Sequence, residues 1–308
     1  MACLEKGVFT RNSTGSPKPW PPAALVPEIP EWRRLSVSPR VTHPTVRACV
    51  EYFNSADCVT PGRYGAIGFS FGAASLAIAS SRDDVAPHMA GVVLFGGYCS
   101  LDRTLECMLT GHHDWEGTEY ALTPDPYGRW VVASNHLTSV PGYEDADDVA
   151  LALQRLAKAA SGQRISAWEP HHDSMIRELR ESLPQSRRGL FDKLARCTRS
   201  PVPSREECAE LARKLGDACR RTEPLLDPGD AISRVTVPTQ VIHGHGDRLV
   251  PFTEGLRLMD RLPATARRGT TVTRMFNHSK DHAPADPFER FRETTKLFGA
   301  LRRLINTV

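Results

Sequence analysis

A chain of 308 residues with 40% hydrophobic and 24% charged side chains has enough apolar material for a large core, which excludes a disordered or fibrous chain. Its formal net charge of +3 is too small to argue for nucleic acid or an anionic membrane surface. No apolar run reaches the length of a membrane span, residues 1–24 lack the apolar core of a signal peptide, and the eight cysteines form no CxxC pair; the reading is a cytoplasmic protein with reduced thiols and no structural zinc.

Residues 1–24 carry prolines and glycines without periodicity and read as an irregular entry. Ala24-Leu25-Val26 is a short apolar strand ended by Pro27 and Pro30, and Val46, Cys49, Val50 and Phe53 then fall at helical spacing. Arg63–Phe69, behind a Pro61-Gly62 turn, is a short, mostly apolar run that predicts a buried strand. Ala73–Ala79, small and helix-favouring, predicts a helix. Between them stands Gly68-Phe69-Ser70-Phe71-Gly72. A chain that turns from strand to helix within one residue strains the backbone at Ser70, and glycines two before and two after remove side chains that would collide. This is the G-x-S-x-G nucleophile elbow in its required context.

Gly91–Gly97 is a continuous apolar run, the signature of a strand covered on both faces. From about Ser100 to Asp230 the character becomes helical. Leu101–Leu109 fits a helix, and Tyr143–Ala160 fits one better, with acids at its start and Lys158 near its end. Residues 177–221 hold twelve Arg/Lys against seven Asp/Glu, read as the solvated faces of helices. Strands return at Val237–Gly244 and Thr270–Phe276. Pro287–Ile305 closes the chain as a helix, with Phe288, Phe291, Phe298, Leu301 and Ile305 on one face. Strands alternating with helices predict an α/β fold, a doubly wound and mainly parallel sheet. Residues 25–100 and 231–308 form its core, and 101–230 a helical cap inserted between two strands.

A serine hydroxyl needs a base to take its proton, and the base needs a third group to hold its tautomer. In an elbow fold the order is Ser, acid, His, each on a loop at the carboxyl end of a strand. Asp247 fits as the acid: His243-Gly244-His245-Gly246-Asp247 leaves a strand end and turns on two glycines. His278, 31 residues on and just past the last strand, fits as the base, with His282 its rival four residues later. Asp102, after the Gly96-Gly97 strand, is the second-choice acid. His112-His113-Asp114 and His171-His172-Asp173 offer no third metal ligand and read as exposed loop residues, and Cys99 reads as core rather than nucleophile. No P-loop or dinucleotide fingerprint occurs, so neither cofactor nor metal is expected.

Gly68–Gly72, His243–Pro251 and Phe276-Asn277-His278 ahead of an amphipathic helix resemble an α/β-hydrolase from about Ala23 onward, thinly over the insertion. Phe95-Gly96-Gly97-Tyr98 and Asp125-Pro126-Tyr127-Gly128-Arg129 are also similar to a poorly characterised group of bacterial α/β-hydrolases. The resemblance implies serine-hydrolase chemistry on a small ester-like substrate, with Ser70, Asp247 and His278 in the matching positions and the Phe71 amide as one oxyanion donor. Such proteins usually carry a His-Gly segment well upstream of the serine as the other donor, and no His-Gly precedes Ser70 here. Without that donor the transition state would lose roughly 3–4 kcal/mol, 10²–10³ in rate. Three readings follow: a substitute donor from residues 1–20, a chain that begins too late, or a hydrolase fold kept as a binding module.

Overall fold

The computed structural model describes residues 51, 64–163, 170–198, 200, 203–275 and 286–305. By its contacts the chain divides into residues 1–37 and 38–308, and all described residues belong to the second unit. In chain order, β1 (Gly65–Phe69) runs into α1 (Phe71–Ser80) and β2 (Gly91–Phe95) into α2 (Leu101–Thr110). A hairpin follows, β3 (His112–Trp115) and β4 (Thr118–Ala121), then α3 (Pro126–His136), α4 (Asp147–Gln163), α5 (Asp173–Ser182), α6 (Gln185–Leu194), α7 (Arg205–Thr222) and the short α8 (Gly229–Ile232). The chain returns through β5 (Thr239–Gly244), α9 (Phe252–Arg261), β6 (Arg267–Thr273) and α10 (Pro287–Ile305).

The main sheet has the order β1-β2-β5-β6, every neighbouring pair parallel. The central strands alternate their apolar side chains between two cores. Val92, Leu94 and Val241 face Ala73, Leu76 and Ala77 of α1 and Leu258 of α9, while Val93, Phe95 and Ile242 face Leu297, Ala300 and Leu301 of α10. Helices thus cover both faces, as the apolar run at β2 predicts, and all five β2 residues are buried. Among the described residues, 101–230 contributes no strand to this sheet.

Three expectations change. β1 is not a buried strand: only Gly68 is buried, and Ile67 and Phe69 are 41% and 55% exposed. It is an outer strand among the described residues, and α10 packs over β2 and β5 rather than over it. The insertion is not wholly helical, because His112–Ala121 folds as a hairpin on the Glu116-Gly117 turn, both residues at positive φ (47° and 78°). Ten residues, more than half of them polar, around a Glu-Gly pair are too weak a strand signal to stand out in sequence. Lastly, Phe288, Phe291 and Phe298 face outward, and α10 buries Glu293 and Ala300 instead. The strands expected at 24–26 and up to Phe276 lie partly or wholly outside the described residues.

The elbow glycines are not equivalent. A Cβ at Gly68 would stand 2.6 Å from the Gly72 carbonyl oxygen and 2.8 Å from Ala73 Cα, whereas one at Gly72 would meet nothing within 4 Å. Gly68, and not Gly72, is the position where collision forbids a side chain. Gly68→Ala is therefore expected to lower unfolding free energy by about 1–3 kcal/mol, while Gly72→Ala leaves it unchanged or raises it by up to ~1 kcal/mol through helix propensity. Urea denaturation of both variants checks this, and equal midpoints would contradict it.

Candidate active site

Ser70 occupies the corner between β1 and α1 with φ 55° and ψ −127°, a backbone region that side chains rarely enter. Two bonds hold it there: its N–H donates to the Phe95 carbonyl (2.9 Å), and its own carbonyl accepts from Ala73 N (2.9 Å). The side chain makes no cap hydrogen bond to α1 and is only half-buried, so the hydroxyl is left for other work. Phe71 is the first residue of α1, and its ring meets Tyr98 edge-on at 5.6 Å. Amides in that first turn have no acceptor within the helix and suit developing negative charge.

Asp247 lies in the loop beyond the carboxyl end of β5 and is fully buried. Its Oδ1 accepts from Leu249 N (2.9 Å) and Val250 N (3.1 Å), which closes the turn around the carboxylate. His243 Nε2 donates to the Val250 carbonyl (2.9 Å) and lies 3.8 Å from Asp247 Oδ2. One face of that histidine is closed by α9, where a Cβ at Gly255 would stand 2.6 Å from its Nδ1. Parallel register aligns Phe69, Phe95 and Ile242, so Ser70 and the Asp247 loop leave the same edge of the sheet with β2 between them.

His278 and His282 lie outside the described residues. The strand that leads to them, β6, is parallel to β5, and Thr273 at its end accepts from His245 N (2.8 Å). Asp102, the second-choice acid, sits in the first turn of α2 with its Oδ1 2.9 Å from Arg220 Nη1. That guanidinium also binds Asp217 and Asp227, and the missing side chain of Gly216 makes room for the Asp102 carboxylate. The group clamps α2 to α7.

Three residue groups to which the sequence assigns no structural role shape this edge. Glu254, 1% exposed, accepts from Cys99 N (3.0 Å), Ser100 N (2.8 Å) and Arg103 Nε (2.6 Å), tying the loop after β2 to α9. An aromatic cluster joins the hairpin to α9: His113 stacks on Tyr120 at 5.1 Å, and both meet Phe252 edge-on. His245, two residues before Asp247, stacks on Phe252 at 4.8 Å, and burial there holds its pKa down. The Asp125–Arg129 segment docks the insertion on the acid loop. Asp125 N donates to the Arg248 carbonyl (2.9 Å), and a Cβ at Gly128 would stand 2.8 Å from Leu249 Cδ1. Arg129 is 4% exposed and donates to the carbonyls of Leu194 and Met108 (2.8 Å each), with burial lowering its pKa to about 9. Among the described residues no three His, Cys, Asp or Glu side chains converge as metal ligands. Cys99 is buried, its thiol pushed up by burial.

A serine at positive φ between a parallel strand and its helix, with an acid loop two strands away on the same edge, settles the architecture. The fold is a parallel α/β sheet covered by helices on both faces, with the serine at a strand–helix corner. No family model and no curated protein matches the chain. Among solved structures it is similar to an acylaminoacyl peptidase from Pyrococcus horikoshii (12% identity, TM-score 0.34), over 83% of this chain and 26% of that one. It therefore spans about a quarter of that peptidase. It is also similar to an α/β-fold hydrolase from Bacillus anthracis (11%, 0.37, 86% and 74%) and to the α/β-hydrolase enzyme MGS-M2 from a Medee basin deep-sea metagenome library (13%, 0.39, 88% and 72%). No helix among the described residues is long and apolar enough to cross a membrane.

Burial against Phe252 and Tyr120, with the Arg257 charge nearby, lowers the His113 pKa from its ordinary 6.5 to about 4. The unfolded chain therefore binds the extra proton first. Stability from the neutral ring is complete above about pH 6.5 and is lost as pH falls through 4. His113→Phe is expected to flatten the drop in urea midpoint between pH 7.5 and pH 4.5, and parallel pH dependences for variant and wild type would contradict this.

Proposed function

We propose that the protein is a serine hydrolase that cleaves an ester-like bond in a small molecule through an acyl-enzyme. The observation that carries this reading is Ser70 held at φ 55° on the strand–helix corner, its hydroxyl uncommitted to the helix. In this reading Ser70 Oγ attacks the substrate carbonyl carbon while the His278 imidazole takes the hydroxyl proton, and the carbonyl oxygen becomes an oxyanion received by the Phe71 amide. Asp247 accepts a hydrogen bond from the imidazolium and fixes its orientation. The carbon–oxygen bond to the alcohol then breaks, and His278 returns the proton to the leaving alkoxide. Water attacks the acyl carbon, giving its proton to His278, and Ser70 leaves as the restored hydroxyl.

Asp247 suits its part because two backbone amides already hold Oδ1, so the carboxylate is oriented before substrate arrives. Insertion residues packed on that loop, Asp125 and Gly128 among them, would set which substrates reach the serine.

Turnover of a short p-nitrophenyl ester tests the assignment. Ser70→Ala should lower kcat by on the order of 10⁴-fold or more with the fold intact, and His278→Ala should do the same while His282→Ala retains most activity. Undiminished turnover in Ser70→Ala would remove it as the nucleophile, and the opposite outcome for the two histidines would make His282 the base.

A further inference from the structure

The outward face of α10 has the composition of a helix that lies on a charged membrane surface. Its inward face is accounted for: Leu297, Ala300 and Leu301 pack on Val93, Phe95 and Ile242, and buried Glu293 accepts from Arg274 N (3.0 Å) and Lys296 Nζ (2.6 Å). On the opposite side Phe288, Phe291 and Phe298 are 75%, 72% and 64% exposed. Positions 288, 291, 295, 298 and 302 follow helical spacing, so the three rings form one stripe about 15 Å long with Arg302 in line. Arg292, Lys296 and Arg303 flank it, and they and Arg302 are all exposed. The two acids of the helix are outnumbered: Glu289 lies beside Arg274 (2.8 Å) and Arg292 (3.9 Å), and Glu293 beside Lys296 (2.6 Å) and Arg292 (3.8 Å), against five cations at 290, 292, 296, 302 and 303.

We propose that this face docks the protein on the surface of a bilayer containing anionic phospholipids, the basic side chains meeting headgroups and the three rings entering the acyl boundary. Charge complementarity selects this occupant. A second copy in a two-fold contact would set the same Arg and Lys side chains against themselves. A net charge of +3 over the whole chain hides this local excess, because the remaining charges are spread over other faces. The proposal does not depend on the chemistry assigned to Ser70.

Co-sedimentation of the full chain with vesicles tests it. Vesicles of phosphatidylcholine with roughly one-third phosphatidylserine should pull the protein down, and pure phosphatidylcholine should not. Binding should weaken as salt rises from about 0.1 to about 0.5 M. The triple variant Phe288→Ser/Phe291→Ser/Phe298→Ser and the double variant Arg292→Gln/Arg302→Gln should each bind tenfold or more weakly, with thermal unfolding like the wild type since these side chains are exposed. Equal binding to both vesicle types, no binding to either, or a triple variant that binds like the wild type would overturn the proposal. So would a dimer that the triple substitution dissolves in a protein that ignores vesicles, which would give the face to a second copy.

Discussion

The structure depends on a backbone approach too close for any side chain. At the corner between β1 and α1 the carbonyl of Gly72 and the Cα of Ala73 lie where a Gly68 side chain would be. That contact turns the chain into α1 within one residue and leaves Ser70 at positive φ, a conformation costing of order 1–3 kcal/mol. The neighbouring strand offsets part of this by supplying the Phe95 carbonyl to Ser70 N. A second close approach fixes α1 itself: a Cβ at Gly97 would fall 2.6 Å from Ala73 Cβ. The serine is thus positioned by close packing of α1 against β1 and the loop after β2 rather than by any bond to its own hydroxyl.

The acid loop is held by a different device, a buried carboxylate that organises its own turn. Asp247 receives two amides of its loop, and the insertion then closes over Leu249 and the Arg248 carbonyl. Arg129 is buried beside it, its guanidinium bonded to two carbonyls, and among the described residues no carboxylate stands within ion-pair distance of it. Burying a charge is costly unless its donors find acceptors, and carbonyls from α2 and α6 accept from two of its five N–H groups here. Folding of the insertion and formation of the acid loop are therefore coupled through the 125–129 stretch and through the aromatic contacts of the hairpin with Phe252.

Much of this was legible because it rests on local pattern. The elbow, the doubly buried β2, the helices at 101–110 and 147–163 and the strand leading to Asp247 each follow from apolar runs, end charges and glycines within a few residues. What stayed hidden depends on partners distant in sequence. Glu254 looks like an ordinary first-turn acid until the loop after β2 folds against it, and Asp102 looks like a free carboxylate until α7 brings Arg220. The closing helix shows the limit of hydrophobic periodicity. Its phenylalanines form the more conspicuous stripe, yet the small residue Ala300 and the ion-paired Glu293 face the sheet, because α10 lies close to β2 and β5.

Covalent capture of the nucleophile tests the central claim most directly. The protein is treated with a fluorophosphonate, digested, and the modified peptide located by mass spectrometry. The account predicts a single phosphonyl adduct on Ser70 Oγ, formed with loss of fluoride and absent after prior unfolding. An adduct on any other residue, or none on the folded protein, would contradict it.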